Sequence, residues 1–335
     1  MKFSILMPAF KAKYLHEAIM SVLQQDYADF ELVIVNDASP YDIDSIVMSF
    51  ADSRIKYHKN TVNTGPINIV DNWNRCLELS SGDYIMMIGD DDRIEKDCLS
   101  RYKAIIEKYP DLDVYHGMTL IINENGDPLT LQDKRAETET AMDAIAERML
   151  HRQQFIGDYL FKAEPLKHSG GFVKLPLAWG SDDITVFRSI GTKGIANINV
   201  PVFNYRSNPY SITSSGNVDL KFEAMDVHKK WLHDFVAGYN TTIKTDIILK
   251  RQILQRLDNY FMKKASNLIA SDIAANGAVS FFKWLPKARI YGLPIKLILY
   301  STIEACKIKN QHHANRKATR ELKNNLNTLS LKKWK

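Results

Sequence analysis

The sequence predicts an α/β fold with a mainly parallel sheet, followed by a helical C-terminal region. Short apolar runs alternate with segments of helical spacing through residues 1–100, as in strands joined by helical crossovers. The apolar runs contain few polar residues, which is expected of a parallel sheet that helices cover on both faces. Polar residues follow directly after several of these runs, and they indicate where a ligand binds.

The predicted elements follow one another in a regular order. Strands are predicted at residues 3–7, 30–35, 55–58, 84–88 and 113–122, and helices at 14–25, 43–50, 71–79, 140–150 and 183–190. From Lys221 onward the pattern is predominantly helical. We therefore divide the chain into an α/β domain at about residues 1–215 and a helical, basic region at 216–335.

Composition and targeting features indicate an ordinary cytoplasmic protein. Hydrophobic residues make up 45% and charged residues 25% of the 335 residues, which is typical of globular domains. The three cysteines are far apart and odd in number, so neither a disulfide framework nor a zinc site is indicated. The start of the chain lacks the features of a secretory signal, and no window is long and apolar enough for a spanning helix.

The charge is distributed unevenly along the chain. Residues 281–335 contain 13 Lys or Arg and 2 Asp or Glu, so the net charge of +5 divides into +11 there and −6 in residues 1–280. Aromatic residues alternate with cations between Ser280 and Tyr300, which suits the headgroup layer of an anionic membrane. We therefore expect peripheral attachment to the inner face of the cell membrane. The alternative is that these apolar residues pack on the catalytic domain while the lysines are solvated; no other feature supports nucleic-acid binding.

Three consecutive carboxylates, Asp90, Asp91 and Asp92, follow the most apolar predicted strand, and Asn36-Asp37 follows another. In open α/β sheets ligands bind at the carboxyl ends of the strands. Clustered carboxylates repel one another unless a cation compensates their charge. Oxygen ligands of this kind suit Mn²⁺ or Mg²⁺, shared with substrate phosphates. The alternative is a solvated acidic turn without a ligand.

Several segments, in the same order, resemble glycosyltransferase family 2, whose members have the GT-A fold with a Rossmann-like, mainly parallel sheet. The resemblance extends from Phe3 to about Thr213. Its most similar segments are Ile5–Phe10, Leu15–Tyr27, Glu31–Ser39, Asn63–Gly65, Asn72–Arg75 and Gly82–Ile85. The resemblance implies an inverting, metal-dependent transferase that uses a nucleoside-diphosphate sugar.

The resemblance also implies which residues bind the donor. The backbone of Pro8, Ala9 and Phe10 would cradle the nucleotide, and Asp37 falls where the family's aspartate bonds the donor base. The donor is expected to be a UDP-sugar.

The acidic turn departs from the family's common Asp-x-Asp-Asp form, because Gly89 occupies the position of the first aspartate. By position, Asp90 would face the ribose or the diphosphate, and Asp91 would bind the metal. Because of the departure at Gly89, the choice of ligand among the three aspartates stays open.

Two further segments carry predicted roles. Asp182-Asp183 is similar to the family's Glu-Asp pair, which makes Asp183 the expected general base; acidic residues at a helix start are also common caps. The segment Asn204–Thr213 resembles the family's Tyr-Arg/His…Ser segment, in which Arg206 would pair with the diphosphate. The alternative for this segment is a polar surface turn.

The predicted function is sugar transfer from a UDP-sugar to a saccharide or lipid-linked acceptor in cell-surface polysaccharide synthesis. A sugar nucleotidyltransferase is disfavoured because the segment after the first strand, Pro8–Lys13, lacks the expected glycine-rich phosphate loop. A non-catalytic sugar-nucleotide-binding scaffold would be expected to lack the metal aspartate or the base. Asp91 and Asp183 are both present, which favours an enzyme.

Overall fold

A ten-stranded mixed sheet forms the centre of the fold in the computed structural model, which describes residues 1–207 and 217–310. The strands are β1 Phe3–Ala9, β2 Phe30–Asn36, β3 Ile55–Lys59, β4 Tyr84–Met87, β5 Arg93–Ile94, β6 Val114–Ile122, β7 Pro128–Leu131, β8 Thr138–Glu139, β9 Tyr159–Lys162 and β10 Ile195–Arg206. Their order across the sheet is β3-β2-β1-β4-β9-β6-β10-β5, with β7 beside β6 and β8 beside β10. This confirms the predicted α/β fold.

The two halves of the sheet differ in strand direction. Strands β1 to β4 are mutually parallel where they pair. Strand β9 lies between β4 and β6 and is antiparallel to both, whereas β10 is parallel to β6. The first half is therefore the βαβ arrangement that the alternating pattern predicts, and the second half is mixed.

Ten helices are labelled in the described residues. They are α1 Leu15–Leu23, α2 Ile43–Met48, α3 Ile69–Glu78, α4 Cys98–Lys108, α5 Ala141–Met149, α6 Ala163–His168, α7 Ser181–Ile190, α8 Val218–Gly238, α9 Lys244–Asn276 and α10 Ala278–Ile290. Residues 295–310 are also helical. Among the described helices, none combines the length and apolar character that crossing a lipid bilayer demands.

The core explains why the early strands are so apolar. Every residue of β2 is buried, and in β1 only Pro8 is half-buried. Helix α1 covers one side with Leu15, Ala18, Ile19 and Val22, which are all fully buried. Their spacing of three and four residues puts them on one face of the helix, as the sequence pattern predicts.

The chain divides into two compact units, Met1–Gln255 and Arg256 onward. The division lies beyond the predicted boundary at residue 215, because α8 belongs to the first unit. Ala224 of α8 packs in an apolar cluster with Leu175 and Ile184 of that unit. The helical pattern of α8 was visible in the sequence, but its packing partner was not.

Candidate active site

The carboxyl ends of β1, β2 and β4 meet at one edge of the sheet. The backbone N–H of Asp37 donates to the carbonyl of Ala9 at 2.9 Å, and that of Ile88 donates to the carbonyl of Leu6 at 2.9 Å. The residues that follow the three strands therefore lie side by side. They surround a cavity of about 400 Å³.

This cavity brings together seven of the eight residues to which the sequence analysis gives a role. They are Pro8, Ala9, Phe10, Asp37, Asp90, Asp91 and Arg206. Asp183 does not line it. A larger depression of about 770 Å³ lies elsewhere in the first unit, beside Asp143 and Lys193, but none of the predicted residues lines it. We therefore take the smaller cavity as the candidate active site.

Asp90 anchors the chain that follows β1. One of its carboxylate oxygens, Oδ2, accepts hydrogen bonds from the backbone N–H groups of Phe10 at 2.7 Å and Lys11 at 2.6 Å. Burial of this carboxylate raises its pKa, and repulsion from Asp91 adds to the increase. The backbone at Phe10, which is expected to cradle the nucleotide, is therefore held in place by the acidic turn itself.

Asp91 faces a cation that the sequence analysis did not identify. Lys11 Nζ lies 2.9 Å from Asp91 Oδ2. Burial lowers the pKa of Lys11, but the charges of Asp91 and Asp90 outweigh that effect and leave the pKa above its usual value. Lys11 therefore stays protonated at neutral pH. Its position directly after Phe10 was the only sequence signal for this role.

The third aspartate, Asp92, accepts a hydrogen bond at Oδ1 from the backbone N–H of Arg206 at 2.9 Å. Burial raises the pKa of Asp92 well above its usual value, and the charge of Asp91 raises it further. A Cβ atom at Gly89 would lie 2.8 Å from the Asp92 carboxylate and 3.1 Å from that of Asp91. The glycine thus lets the turn fold back closely, which gives a physical reason for the departure at this position.

The three carboxylates of the acidic turn determine how a metal ion could be bound. In the described part of the chain, no group of three or more His, Cys, Asp and Glu side chains is arranged to hold a metal ion. Asp90 and Asp92 accept backbone hydrogen bonds, which leaves Asp91 as the carboxylate beside Lys11 in the cavity wall. One carboxylate next to excess negative charge suits Mg²⁺ or Mn²⁺ when phosphate oxygens and water complete the coordination. These residues are compatible with a metal ion that a bound diphosphate also coordinates. Metal binding stays a prediction.

Arg206, at the end of β10, is 2% exposed and already has several partners. Its Nε donates to the carbonyl of Asp91 at 2.7 Å, Nη1 to the carbonyl of Glu124 at 3.1 Å, and Nη2 to the carboxylate of Glu17 at 2.8 Å. The guanidinium also lies 4.2 Å from the centre of the Tyr14 ring. In this structure Arg206 fixes the acidic turn to two neighbouring segments. Its pairing with a diphosphate stays a prediction, and residues 208–213 of the same predicted segment lie outside the described residues.

Asp37 organises the opposite wall of the cavity. Its carboxylate accepts from the side chain of Asn60 at 2.9 Å and from the hydroxyl of Thr64 at 2.7 Å. Its backbone carbonyl accepts from Asn63 at 2.6 Å. These bonds fix the segment between β3 and α3, which contributes Asn63, Gly65 and Pro66 to the cavity. The expected role in binding the base stays a prediction.

Apolar and aromatic residues complete the cavity wall. Trp73 projects from α3 and meets the edge of Phe172 at 5.9 Å between ring centres. Tyr205, next to Arg206 on β10, stacks on Phe155 at 4.1 Å. An apolar wall opposite a few polar groups is the usual composition of small-molecule sites.

Asp183 lies in the first turn of α7 and is 1% exposed. Its Oδ1 accepts from Arg148 Nε of α5 at 2.7 Å, and its Oδ2 lies 3.9 Å from His228 Nε2 of α8. Its neighbour Asp182 is half-buried. The pairing with Arg148 depends on how α5 and α7 pack, which the sequence pattern does not reveal.

The loop before Asp183 links it to the wall of the cavity. Leu177 has a φ of 58° and Ala178 a φ of 52°, a backbone region that costs non-glycine residues of the order of 1–3 kcal/mol each. The N–H of Leu177 donates to the carbonyl of Ile67 at 3.1 Å. Ile67 follows Gly65 and Pro66, which line the cavity. The strained loop is therefore attached to the segment that forms the cavity wall.

The order and directions of the strands define the fold class of this protein. The sheet is that of the GT-A fold. A crystal structure of Staphylococcus aureus TarS, residues 1–349, in complex with UDP-GlcNAc matches it with a TM-score of 0.68. The match covers 94% of this chain and 92% of that chain at 16% sequence identity, which establishes the fold alone.

Residues 4–162 match the family model "Glycosyl transferase family 2", and this segment belongs to that family. Two curated relatives are each similar over part of the chain. A GalNAc(5)-diNAcBac-PP-undecaprenol beta-1,3-glucosyltransferase of Campylobacter jejuni is 35% identical over 103 residues, 30% of this chain and 32% of that protein. A PGL/p-HBAD biosynthesis glycosyltransferase of Mycobacterium tuberculosis is 30% identical over 128 residues, 37% of this chain and 48% of that protein. The matches thus span about a third to a half of these relatives.

Proposed function

We propose that this protein transfers a sugar from a nucleoside-diphosphate sugar, with UDP as the nucleotide, to a hydroxyl group of a saccharide or lipid-linked acceptor. The proposed setting is the synthesis of a cell-surface polysaccharide. The observation that carries the proposal is the single cavity that joins Phe10, Asp37, Asp90 and Asp91. The family of the domain supports the reaction class, and the name of the Campylobacter jejuni relative supports a lipid-linked acceptor.

The proposed reaction is a direct displacement at the anomeric carbon. The acceptor oxygen forms the new glycosidic bond while the bond to the diphosphate breaks, and the electron pair leaves with the diphosphate. Asp183 is the proposed general base that takes the proton of the acceptor hydroxyl. Because no group of the protein attacks the sugar, the configuration of the anomeric carbon is inverted.

The residues of the cavity hold the leaving group. Lys11 presents a protonated amine beside Asp91, where the diphosphate of the donor is proposed to lie. When bound, Mn²⁺ or Mg²⁺ supplies further positive charge for the departing diphosphate. The backbone around Phe10, held by Asp90, positions the nucleotide, and Asp37 is proposed to bond its base.

Calorimetric titration of UDP and of GDP, each with Mn²⁺ and with a chelator, tests the donor site. We expect UDP to bind with Mn²⁺ and to bind at least about tenfold more weakly with the chelator, since the carboxylates and the diphosphate otherwise repel one another. Asp91→Ala should remove this metal dependence. Asp111→Ala, which removes an exposed carboxylate distant in sequence from the acidic turn, is the matched control and should bind as the wild type does.

Other outcomes separate the alternatives. Binding of GDP instead of UDP would correct the nucleotide and leave the reaction class in place. UDP binding that a chelator does not change would assign the compensating charge to Lys11 and contradict the metal. Absence of binding of either nucleotide by a folded protein would contradict the donor site.

A lipid-linked acceptor also implies that the enzyme acts at a membrane surface. We propose that the protein attaches peripherally to an anionic membrane surface, at its cytoplasmic side, through the basic C-terminal region. Residues 311–335 of this region lie outside the described residues, and residues 278–310 carry the exposed apolar and basic side chains that support the attachment.

A further inference from the structure

Helix α10 exposes large apolar side chains, which a helix that only covers a core would be expected to bury. Val279, Phe282 and Ile290 are 65%, 66% and 76% exposed. Their spacing of three and eight residues places them on one face of the helix. Trp284 and Ala288, on the opposite face, are both 1% exposed. The helix therefore has an apolar face turned inward and a second apolar face turned toward solvent.

The inward face of α10 is fixed by specific contacts within the second unit. Trp284 Nε1 donates to a carboxylate oxygen of Asp272 on α9 at 2.8 Å, and Ser280 Oγ donates to the same oxygen. These contacts set the rotation of α10 about its axis. The exposure of Phe282 and its neighbours therefore follows from how the helix is held.

The helix at residues 295–310 repeats this arrangement. Ile295, Leu299 and Ile303 follow one another at intervals of four residues and are all more than half exposed. Ile298 and Ser301 face inward, and the Ser301 hydroxyl lies 2.9 Å from that of Ser266 on α9. We call the exposed side chains Val279, Phe282, Ile290, Ile295, Leu299 and Ile303 the outer apolar face.

Basic residues accompany the outer apolar face. Residues 278–310 contain six Lys or Arg and one Asp or Glu. Lys283, Arg289 and Lys296 are exposed next to its apolar residues. Exposed apolar side chains with cations beside them match the boundary between lipid headgroups and acyl chains, where the cations meet anionic headgroups. A second copy of this chain would bring an equally basic face, so charge disfavours self-association here.

We propose that the outer apolar face is the surface by which this protein docks on an anionic lipid bilayer. The apolar side chains insert at the headgroup boundary, and the lysines and the arginine bind the headgroups. The docking deepens the proposed function by naming the residues that would hold the enzyme at a membrane where a lipid-linked acceptor lies. It concerns residues other than those of the cavity, so the two can fail separately.

Co-sedimentation of the full-length protein with vesicles tests the proposal. One set of vesicles contains phosphatidylcholine alone, and the other contains phosphatidylcholine with one-third phosphatidylglycerol. We expect binding to the anionic vesicles that weakens with added salt, and little binding to the neutral ones. Phe282→Ser combined with Ile295→Ser should lower the partition constant at least about tenfold.

A second variant tests the charges without changing apolar side chains. Lys283→Gln combined with Lys296→Gln should lower the partition constant about tenfold or more and flatten its salt dependence. The matched control is Met48→Ser combined with Leu129→Ser. Those side chains are 69% and 57% exposed in the first unit, and their loss should leave vesicle binding unchanged.

The outcomes are distinguishable. If the wild-type protein does not bind anionic vesicles, or if the serine variants bind them as the wild type does, the proposed docking surface is wrong. A dimer in light scattering that the serine variants dissociate, without vesicle binding, would overturn it in favour of self-association. UDP titration of the same samples should be unchanged by all these variants. Vesicle binding by a wild type that binds neither UDP nor GDP would contradict the proposed function and support the docking surface.

Discussion

At the scale of single residues, burial distinguishes Asp183 from its neighbour Asp182. Asp183 is buried against Arg148, whereas Asp182 beside it is half-buried. We expect Asp183→Asn to abolish sugar transfer and to leave metal-dependent UDP binding nearly intact, because an amide does not accept a proton from a hydroxyl group at neutral pH. The turnover number and the calorimetric affinity for UDP measure the two effects.

The buried ion pair provides the controls for this experiment. Arg148→Gln removes a partner that orients Asp183, so we expect a reduced turnover number with an altered pH profile. Asp182→Asn should keep most of the activity. If Asp183→Asn turns over at the wild-type rate, the assignment of the base is wrong. Loss of turnover in Asp182→Asn alone would move the role of base to Asp182.

The sequence predicts some site residues better than others, for a physical reason. Asp37 and Asp91 were expected at one edge of the sheet because each follows an apolar strand, whereas Phe10 was selected by the family resemblance. Lys11 and Arg148 were not identified. Their partners lie 80 and 35 residues away along the chain, and only the packed fold brings them together.

At the scale of the elements, Glu31 joins the amino-terminal ends of three strands. Its carboxylate accepts from Ser4 Oγ of β1 at 2.6 Å, from the N–H of Ser81 before β4 at 2.6 Å, and from Lys2 Nζ at 2.8 Å. Burial alone would raise the pKa of Glu31, but the hydrogen bonds from Lys2, Ser4 and Ser81 outweigh it and lower the pKa to about 2. The ionised side chain therefore stabilises the parallel half of the sheet.

The lowered pKa of Glu31 makes the stabilisation dependent on pH. A folded-state pKa below the unfolded value stabilises the protein above the unfolded value of about 4.3 and loses that effect as pH falls toward 2. We expect Glu31→Gln to lower the free energy of unfolding by about 1–2 kcal/mol at pH 7, because solvent screens the Lys2 end of the pair. Urea unfolding at pH 7 and pH 3 should show a smaller difference at pH 3. An equal difference at both pH values would contradict the role of the charge.

The two halves of the sheet were not equally predictable. Strands β1, β2 and β4 were predicted because each is an apolar run between helical segments, whereas β3 alternates apolar and polar residues. Strand β9, with four residues, was missed because it lies antiparallel between β4 and β6, which are distant in sequence. The two-residue strands β5 and β8 carry no periodic pattern at all. Their pairing follows from β10, so tertiary contacts form these strands.

At the scale of the whole molecule, the chain divides into two compact units after Gln255. Trp284 is the largest fully buried side chain of the described protein and lies in the second unit. We expect Trp284→Ala to destabilise that unit by about 3–5 kcal/mol. Amide hydrogen exchange should then speed up within residues 256–310 and stay slow in β1, β2 and β4. UDP binding should be retained.

The matched control for this prediction is Phe282→Ala, which removes an exposed aromatic ring from the same helix and should change exchange little. If Trp284→Ala instead speeds up exchange equally in the central strands, the two units unfold as one. The variant pair therefore measures whether the division of contacts at Gln255 is also a division of stability.

The carboxyl ends of β1, β2 and β4 lie together at the cavity, although all three strands come from the first part of the chain. This arrangement has a consequence for how such a protein diversifies. All residues lining the candidate active site, except Ile156, Tyr205 and Arg206, come from residues 8–92. A short stretch of the gene thus encodes most of the proposed donor specificity. Recombination just after this stretch would transfer that specificity to another protein as one gene segment. The rest of the gene would then be free to accumulate changes suited to new acceptors.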